Sequence, residues 1–167
     1  GGIREVPVET LQAIRALCDA HGLLLITDEV QCGTGRSGKF FAYQWADIQP
    51  DIIAVAKGIG GGFPLGACLM SETVGNSMPV GSHGGTYGGN PMAMAAGNAV
   101  LDIILEDGFL EKVQEVGSYF KEALHALVQQ HSGLLSGVRG KGLMLGLVCG
   151  DIPNWDLLAY IREEGLL

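Results

Sequence analysis

Asp28 and Lys57 are the two side chains whose placement suggests chemistry. Each closes an apolar run: Leu23–Thr27 ends in Asp28, and Asp51–Ala56 ends in Lys57, twenty-nine positions further on. Apolar runs without polar alternation predict strands covered on both faces, the habit of parallel sheets. Open α/β sheets bind their ligands outside the C-terminal ends of such strands. An amine and a carboxylate delivered there can grip one small aromatic molecule. The amine condenses with its aldehyde, and the carboxylate keeps a ring nitrogen protonated so that the ring can accept electrons.

That division of labour is what pyridoxal 5′-phosphate requires, and neighbouring residues supply the rest of it. Val30 can hold a ring face, Gln31 can hydrogen-bond a ring hydroxyl, and Thr86 can donate to a phosphate. Glu29, inside the same stretch, is counted with the cofactor-binding residues in a supporting role. Taken singly, each has an ordinary explanation. An Asp after a strand is often a cap, a Lys there often points to solvent, and Thr86 lies in a glycine-rich loop. Their joint pattern carries the reading.

The segment Gly33–Phe40 competes for attention, since it spells both G-x-G-x-x-G and G-x-x-x-x-G-K. The second pattern lacks the Ser or Thr that reaches magnesium, because Phe40 stands there. The first requires a strand immediately before and a helix immediately after, and Asp28–Cys32 intervenes. A turn-forming role is the plainer account of these glycines, with a nucleotide-binding α/β protein as the remote alternative.

Around these residues the chain alternates helix and strand. Leu11, Ile14, Leu17 and Cys18 recur at helical spacing, and Gly22 closes that helix. Strands follow at Leu23–Thr27, Asp51–Ala56 and Gly66–Met70. Asn90-Pro91 opens a helix whose Ala93, Ala95, Ala96, Gly97 and Ala99 allow close packing. After a break at Glu106–Gly108 comes a second helix, with Phe109, Val113, Val116, Phe120, Leu124 and Leu127 on one face. Ser132-Gly133 ends it. Strands near Leu134–Val138 and Leu143–Val148 and a helix from Asn154 complete an α/β pattern.

Composition narrows the function classes. The 167 residues are 47% hydrophobic, enough for a sizeable core, and the 27 glycines suit turns and close backbone approach. A net charge of −8 argues against nucleic acid or an anionic membrane as partner. Cys18, Cys32, Cys68 and Cys149 form neither C-x-x-C pairs nor a zinc pattern with the histidines, so no metal site is expected. They read as reduced thiols of a cytoplasmic protein. No apolar run is long enough to span a bilayer. Gly1-Gly2-Ile3 reads as the middle of a protein and Ile161–Leu167 as the inside of a helix. The chain is therefore expected to be a fragment.

Four blocks together resemble the class III (ornithine/GABA-type) aminotransferases: Leu25–Gly38, Pro50–Ala67, Thr86–Pro91 and Arg139–Met144. The likeness covers essentially the whole chain. The stretches Gly38–Tyr43 and Gly60–Gly66 bring it nearest to the members that serve arginine biosynthesis. The resemblance implies an α/β fold of type I, the pyridoxal-phosphate-dependent transferase fold. Residues 1–105 would be the C-terminal half of the large cofactor-binding domain. Residues 106–167 would be a linking helix and the beginning of the small C-terminal domain.

The resemblance also implies roles. Lys57 carries the cofactor covalently and is catalytic; Asp28 pairs with the pyridine nitrogen. Val30 packs on the ring, Gln31 contacts its phenolic oxygen, and Thr86 reaches the phosphate in the neighbouring subunit of a homodimer with shared active sites. The substrate-contact position before that threonine is usually Ser or Thr; here it is Gly85. The implied reaction moves the δ-amino group of N2-acetylornithine to 2-oxoglutarate. Ornithine, 4-aminobutyrate, succinylornithine and succinyldiaminopimelate are rival donors. In the family the phosphate loop, the ring-stacking aromatic and the carboxylate-binding arginine precede these blocks, so the chain alone is expected to have little activity.

Overall fold

A computed structural model describes residues 2–166. The first helix, α1 (Val8–His21), ends at Gly22, whose left-handed backbone (φ 63°) places its N–H on the Cys18 carbonyl. The chain then enters a three-stranded sheet ordered β1-β2-β3, from β1 (Ile26–Asp28), β2 (Ile52–Val55) and β3 (Ala67–Met70). Strands β1 and β2 are parallel, with Asp28 beside Ala54. Strand β3 returns antiparallel to β2, pairing Ala67 with Val55 and Met70 with Ile52. Only residues 56–66 separate β2 from β3. A parallel return needs a crossover of a dozen or more residues, so the short connection dictates the reversal.

An ionic knot fixes the entry to this sheet. The Asp51 carboxylate accepts the Leu25 N–H and an Arg15 Nη1 hydrogen, both at 2.7 Å. Arg15 also pairs with Asp19 at 2.7 Å. The Arg15 hydrogen bond, and then the Leu25 one, hold the Asp51 carboxyl below its usual range.

The expectation of a strand covered on both faces differs from the structure. β1 begins only at Ile26 and is an edge strand, and Leu23, Leu24 and Ile26 are 54%, 56% and 62% exposed. No described residue covers that side. The buried residues of the sheet lie in β2, at Ile53 and Val55.

After β3 comes a single-turn helix, α2 (Glu72–Asn76), capped by the Ser71 hydroxyl. An exposed loop leads to α3 (Pro91–Ile104), where Asn90 accepts the Ala93 N–H and Pro91 occupies the first turn. The small residues of α3 let it press onto the 3-10 turn Lys57–Gly60. A Cβ at Gly97 would lie 2.9 Å from Leu65, and one at Gly61 would lie 2.7 Å from Val100. Helix α4 (Phe109–Gln130) then packs on an antiparallel hairpin of β4 (Leu135–Lys141) and β5 (Met144–Cys149), followed by α5 (Asn154–Glu163).

The hairpin turn docks on the glycine segment. Leu143 donates its N–H to the Arg36 carbonyl at 2.9 Å. Any Cβ at Gly142 would overlap the Ser37 main chain, and one at Gly117 would come within 2.8 Å of Gly142. Backbones meet here without side chains between them. No helix among the described residues is long and apolar enough to cross a membrane.

Candidate active site

Asp28 and Lys57 emerge at the same end of the sheet. Asp28 ends β1 beside Ala54, and Lys57 lies three residues beyond Ala54, opening the 3-10 turn that follows the neighbouring parallel strand. With strands ~4.8 Å apart and a rise of ~3.3 Å per residue, an extended continuation of β2 would put their α-carbons about 11 Å apart. One six-membered ring and two side chains fill such a gap.

Lys57 is held in an uncommon backbone conformation. Its φ is 49°, in the left-handed region, between an extended Ala56 and the turn that α3 buttresses. Thr34 is left-handed too, at φ 53°. A Cβ on Gly58 would lie 3.3 Å from the Thr34 side chain, so the two segments touch. Left-handed non-glycine residues cost about 1–3 kcal/mol each and gather at functional sites. Both residues line the same two clefts. One, of about 580 Å³, is bordered by Gly62, Ile104 and Phe109. The other, of about 360 Å³, is bordered by Gln31, Gly33 and Met144. These sizes suit a cofactor-sized ligand.

Asp28 is exposed, and its Oδ1 accepts the Val30 N–H at 3.0 Å. Its Oδ2 has no hydrogen bond among the described residues, and Asp28 borders neither cleft that contains Lys57. Gln31 shares the smaller cleft with Lys57. Val30 is half-buried and lines neither cleft. Glu29 is 2% exposed, and its carboxylate accepts the N–H groups of Ala42 and Tyr43, both at 2.9 Å. Those donors open a 3-10 helix, Ala42–Ala46, where sequence patterning gave no clear helix start. Gly85 and Thr86 sit in a fully exposed loop and do not line the clefts that hold Lys57.

Two residues escaped the sequence reading. Thr34 and Arg36 border both clefts beside Lys57. Thr34 stands between two glycines, and Arg36 is the first cation of the segment. Those were the available signals.

The glycine segment is not free to cradle phosphate. Gly33 donates its N–H to Glu29 O, Gly35 to Phe40 O, Arg36 to Gly33 O and Gly38 to Gly35 O. Those four donors are spent inside the protein, and the helical turn that follows is only five residues long. The features that a phosphate loop exploits are missing.

For pyridoxal phosphate the residues fit. An amine stands at a strand end beside a cleft, a carboxylate on the adjacent strand keeps one oxygen open, and an amide lines the same space. Donors for the phosphate are not assembled by this segment.

Comparison with known proteins points the same way. A family profile, "Aminotransferase class-III", matches residues 1–167. An acetylornithine aminotransferase of Mesorhizobium japonicum is 54% identical over 167 residues, which is all of this chain and 42% of that protein. A crystal structure of acetylornithine aminotransferase from Elizabethkingia anophelis superposes with a TM-score of 0.85 at 36% identity, covering 94% of this chain and 40% of that one. The taurine:2-oxoglutarate aminotransferase of Bifidobacterium kashiwanohense, solved in complex with PLP and glutamate, gives 0.86 at 32%, covering 93% and 39%. The chain thus spans about two fifths of the length of the relatives it matches.

Proposed function

The chain belongs to the class III aminotransferases, with the α/β fold of type I, and from that premise we propose that the complete protein transfers the δ-amino group of N2-acetylornithine to 2-oxoglutarate. The observation that carries the chemistry is Lys57, left-handed at the end of β2 and shared by two clefts. The acetylornithine aminotransferase from Mesorhizobium japonicum, 54% identical, supports the choice of donor. Residues 1–105 form part of the large domain and residues 106–167 the beginning of the small one. The active protein is a cytoplasmic homodimer, in which Thr86 serves the partner's cofactor and Gly85 lies near substrate.

Pyridoxal phosphate, when bound, supplies an aldehyde for amino groups and a cationic ring that takes up the electron pair left by a departing proton. Lys57 holds it covalently at rest. The Lys57 amine would also carry the proton between the donor carbon bearing nitrogen and the cofactor. The Asp28 carboxylate keeps the proton on the ring nitrogen, through the oxygen that Val30 does not occupy. Gln31 would donate to the phenolic oxygen, and Val30 would pack on the ring. The products are the donor's semialdehyde and glutamate.

The test is optical. The complete protein should show a visible absorbance band that borohydride removes, with the cofactor then fixed to the peptide containing Lys57. A panel of amino donors should rank N2-acetylornithine first. A protein without the band, or one labelled at another lysine, overturns the proposal.

A further inference from the structure

Glu29 was grouped with the cofactor-binding residues, yet its geometry assigns it a different task. Its side chain lines neither cleft that contains Lys57. Both carboxylate oxygens face the interior. Oε1 accepts the Tyr43 N–H at 2.9 Å; Oε2 accepts the Ala42 N–H at 2.9 Å and the Cys32 S–H at 3.2 Å. The main chain of the same residue is equally engaged. The Glu29 N–H donates to Ala54 O at 2.9 Å, extending the β1–β2 ladder beyond Asp28, and Glu29 O accepts the Gly33 N–H at 3.0 Å. A Cβ on Gly33 would meet Glu29 O at 2.7 Å, so only glycine permits this turn. No cation pairs with this carboxylate among the described residues. Main-chain N–H groups at a helix start stabilise it instead.

We propose that Glu29 is a positioning residue for the transamination: it clamps the Asp28–Gln31 turn between β2 and the 3-10 helix, and so fixes the Asp28 and Gln31 side chains relative to Lys57. The clamp has three anchors: the sheet through Ala54, the helix through Ala42 and Tyr43, and the outgoing turn through Cys32 and Gly33. Val30 and Gln31 have no such anchors of their own, apart from the Val30 N–H on Asp28. Their placement, and that of the open Asp28 oxygen, follows from the residue between them. The inference rests on the proposed aminotransferase reading.

The experiment uses the complete enzyme and two variants that attack the clamp from opposite sides. Glu29→Gln keeps one acceptor but turns an NH2 group toward a main-chain N–H. Ala42→Pro leaves Glu29 intact and deletes one of its donors. Proline suits the first helical position, and the preceding Phe41 already has the extended backbone proline demands (φ −116°, ψ 143°). In both variants borohydride should still fix the cofactor to Lys57. The pH titration of the visible band should move in the same direction in both, more in Glu29→Gln. kcat should fall by about a hundredfold in Glu29→Gln, as for a roughly 1 Å misplacement. KM should change far less.

If kcat falls only with the folded fraction and the band titrates as in wild type, Glu29 is merely structural and the proposal is overturned. A shifted titration in Glu29→Gln alone makes it a cofactor contact, which also overturns it. Absence of the band from the wild-type protein strikes the aminotransferase reading instead.

Discussion

Two glycine-rich segments carry candidate site residues, and they are built in opposite ways. Between Asp28 and Lys39 much of the main chain is bonded from within. Glu29, Gly33, Gly35, Arg36 and Gly38 all donate to protein carbonyls, and Gly33, Thr34, Gly35, Ser37 and Gly38 are buried. Side chains add further locks: Trp45 Nε1–H donates to Ser37 O, and Gln114 to Gly38 O. Between Ser82 and Gly89 every residue is exposed, and Tyr87 is 83% so. A Cβ on Gly84 or Gly89 would touch nothing. The first segment is organised before any ligand arrives, whereas the second is held only by local turn bonds such as Ser82 N–H to Pro79 O and Gly88 N–H to Gly85 O. Preorganised groups bind at lower ordering cost. The half of the site around Lys57 is thus intrinsic to the chain. Under the proposed homodimer, the half around Thr86 is the part whose shape a partner subunit would supply.

The sharpest way to test that division is to remove its centre. Lys57→Ala in the complete protein should lower turnover by about 10⁴-fold or more, since both the covalent anchor and the proton carrier are lost. Thr86→Ala should be milder, raising the cofactor concentration needed for half-saturation and leaving Lys57 labelling by borohydride intact. Steady-state kinetics and cofactor titration check both. A Thr86 variant as dead as the Lys57 variant would break the comparison.

Asp28→Ala comes next. It keeps Lys57 and the clefts, so cofactor should still attach, but the charge opposite the ring nitrogen is gone. A fall in kcat of about 10²–10³-fold matches the loss of one preorganised electrostatic group. Wild-type kinetics would remove Asp28 from the mechanism.

The same contrast appears in what the sequence revealed. Helix α1 with its Gly22 stop, and α3 with its Asn90-Pro91 start, were legible because caps are local: one residue's φ or one side-chain acceptor decides them. Lys57 and Asp28 were legible as strand-end residues because the apolar runs before them are unbroken. The antiparallel course of β3 was not legible, since direction depends on how residues 56–66 turn. Nor were the left-handed conformations of Thr34 and Lys57, which neighbouring packing imposes against their own preference. Glu29 was legible only as a supporting residue, without the bonds that define the support, because its partners, Ala42 and Tyr43, lie thirteen and fourteen positions away and use only main-chain atoms. Side-chain patterns carry no trace of such bonds.

Stability sharpens the comparison at smaller scale. Gly142→Ala places a Cβ against the Ser37 main chain at a position with φ 58°, and both partners are backbone that cannot yield cheaply. The expected loss is about 1–3 kcal/mol, as for overpacking elsewhere. At Gly85 a Cβ would meet only the Gly88 nitrogen, 4.0 Å away. Gly85→Ala should change stability by no more than about 0.5 kcal/mol. Chemical denaturation of the two variants measures the difference directly. Equal losses would mean that the Ser82–Gly89 loop is as tightly packed in the assembled protein as the glycine segment.

The finest probe is Cys32, which sits inside the organised segment and reports on its electrostatics. Burial first, then the hydrogen bond to Glu29 and its negative charge, push the Cys32 thiol up to about 12. The nucleophile in alkylation is the thiolate. Cys32 should therefore resist iodoacetamide at pH 8, and its modification should rise only as the pH approaches 12, provided the fold survives. Replacing Glu29 by Gln removes the charge and weakens the hydrogen bond. Both changes favour the thiolate, so Cys32 should alkylate faster in Glu29→Gln at the same pH. Ala42→Pro leaves the Glu29 charge in place and should leave Cys32 nearly as resistant as in wild type. Peptide mass mapping after timed labelling separates the two variants. The organised segment can thus be loosened by either route, while only one of them unmasks the thiol.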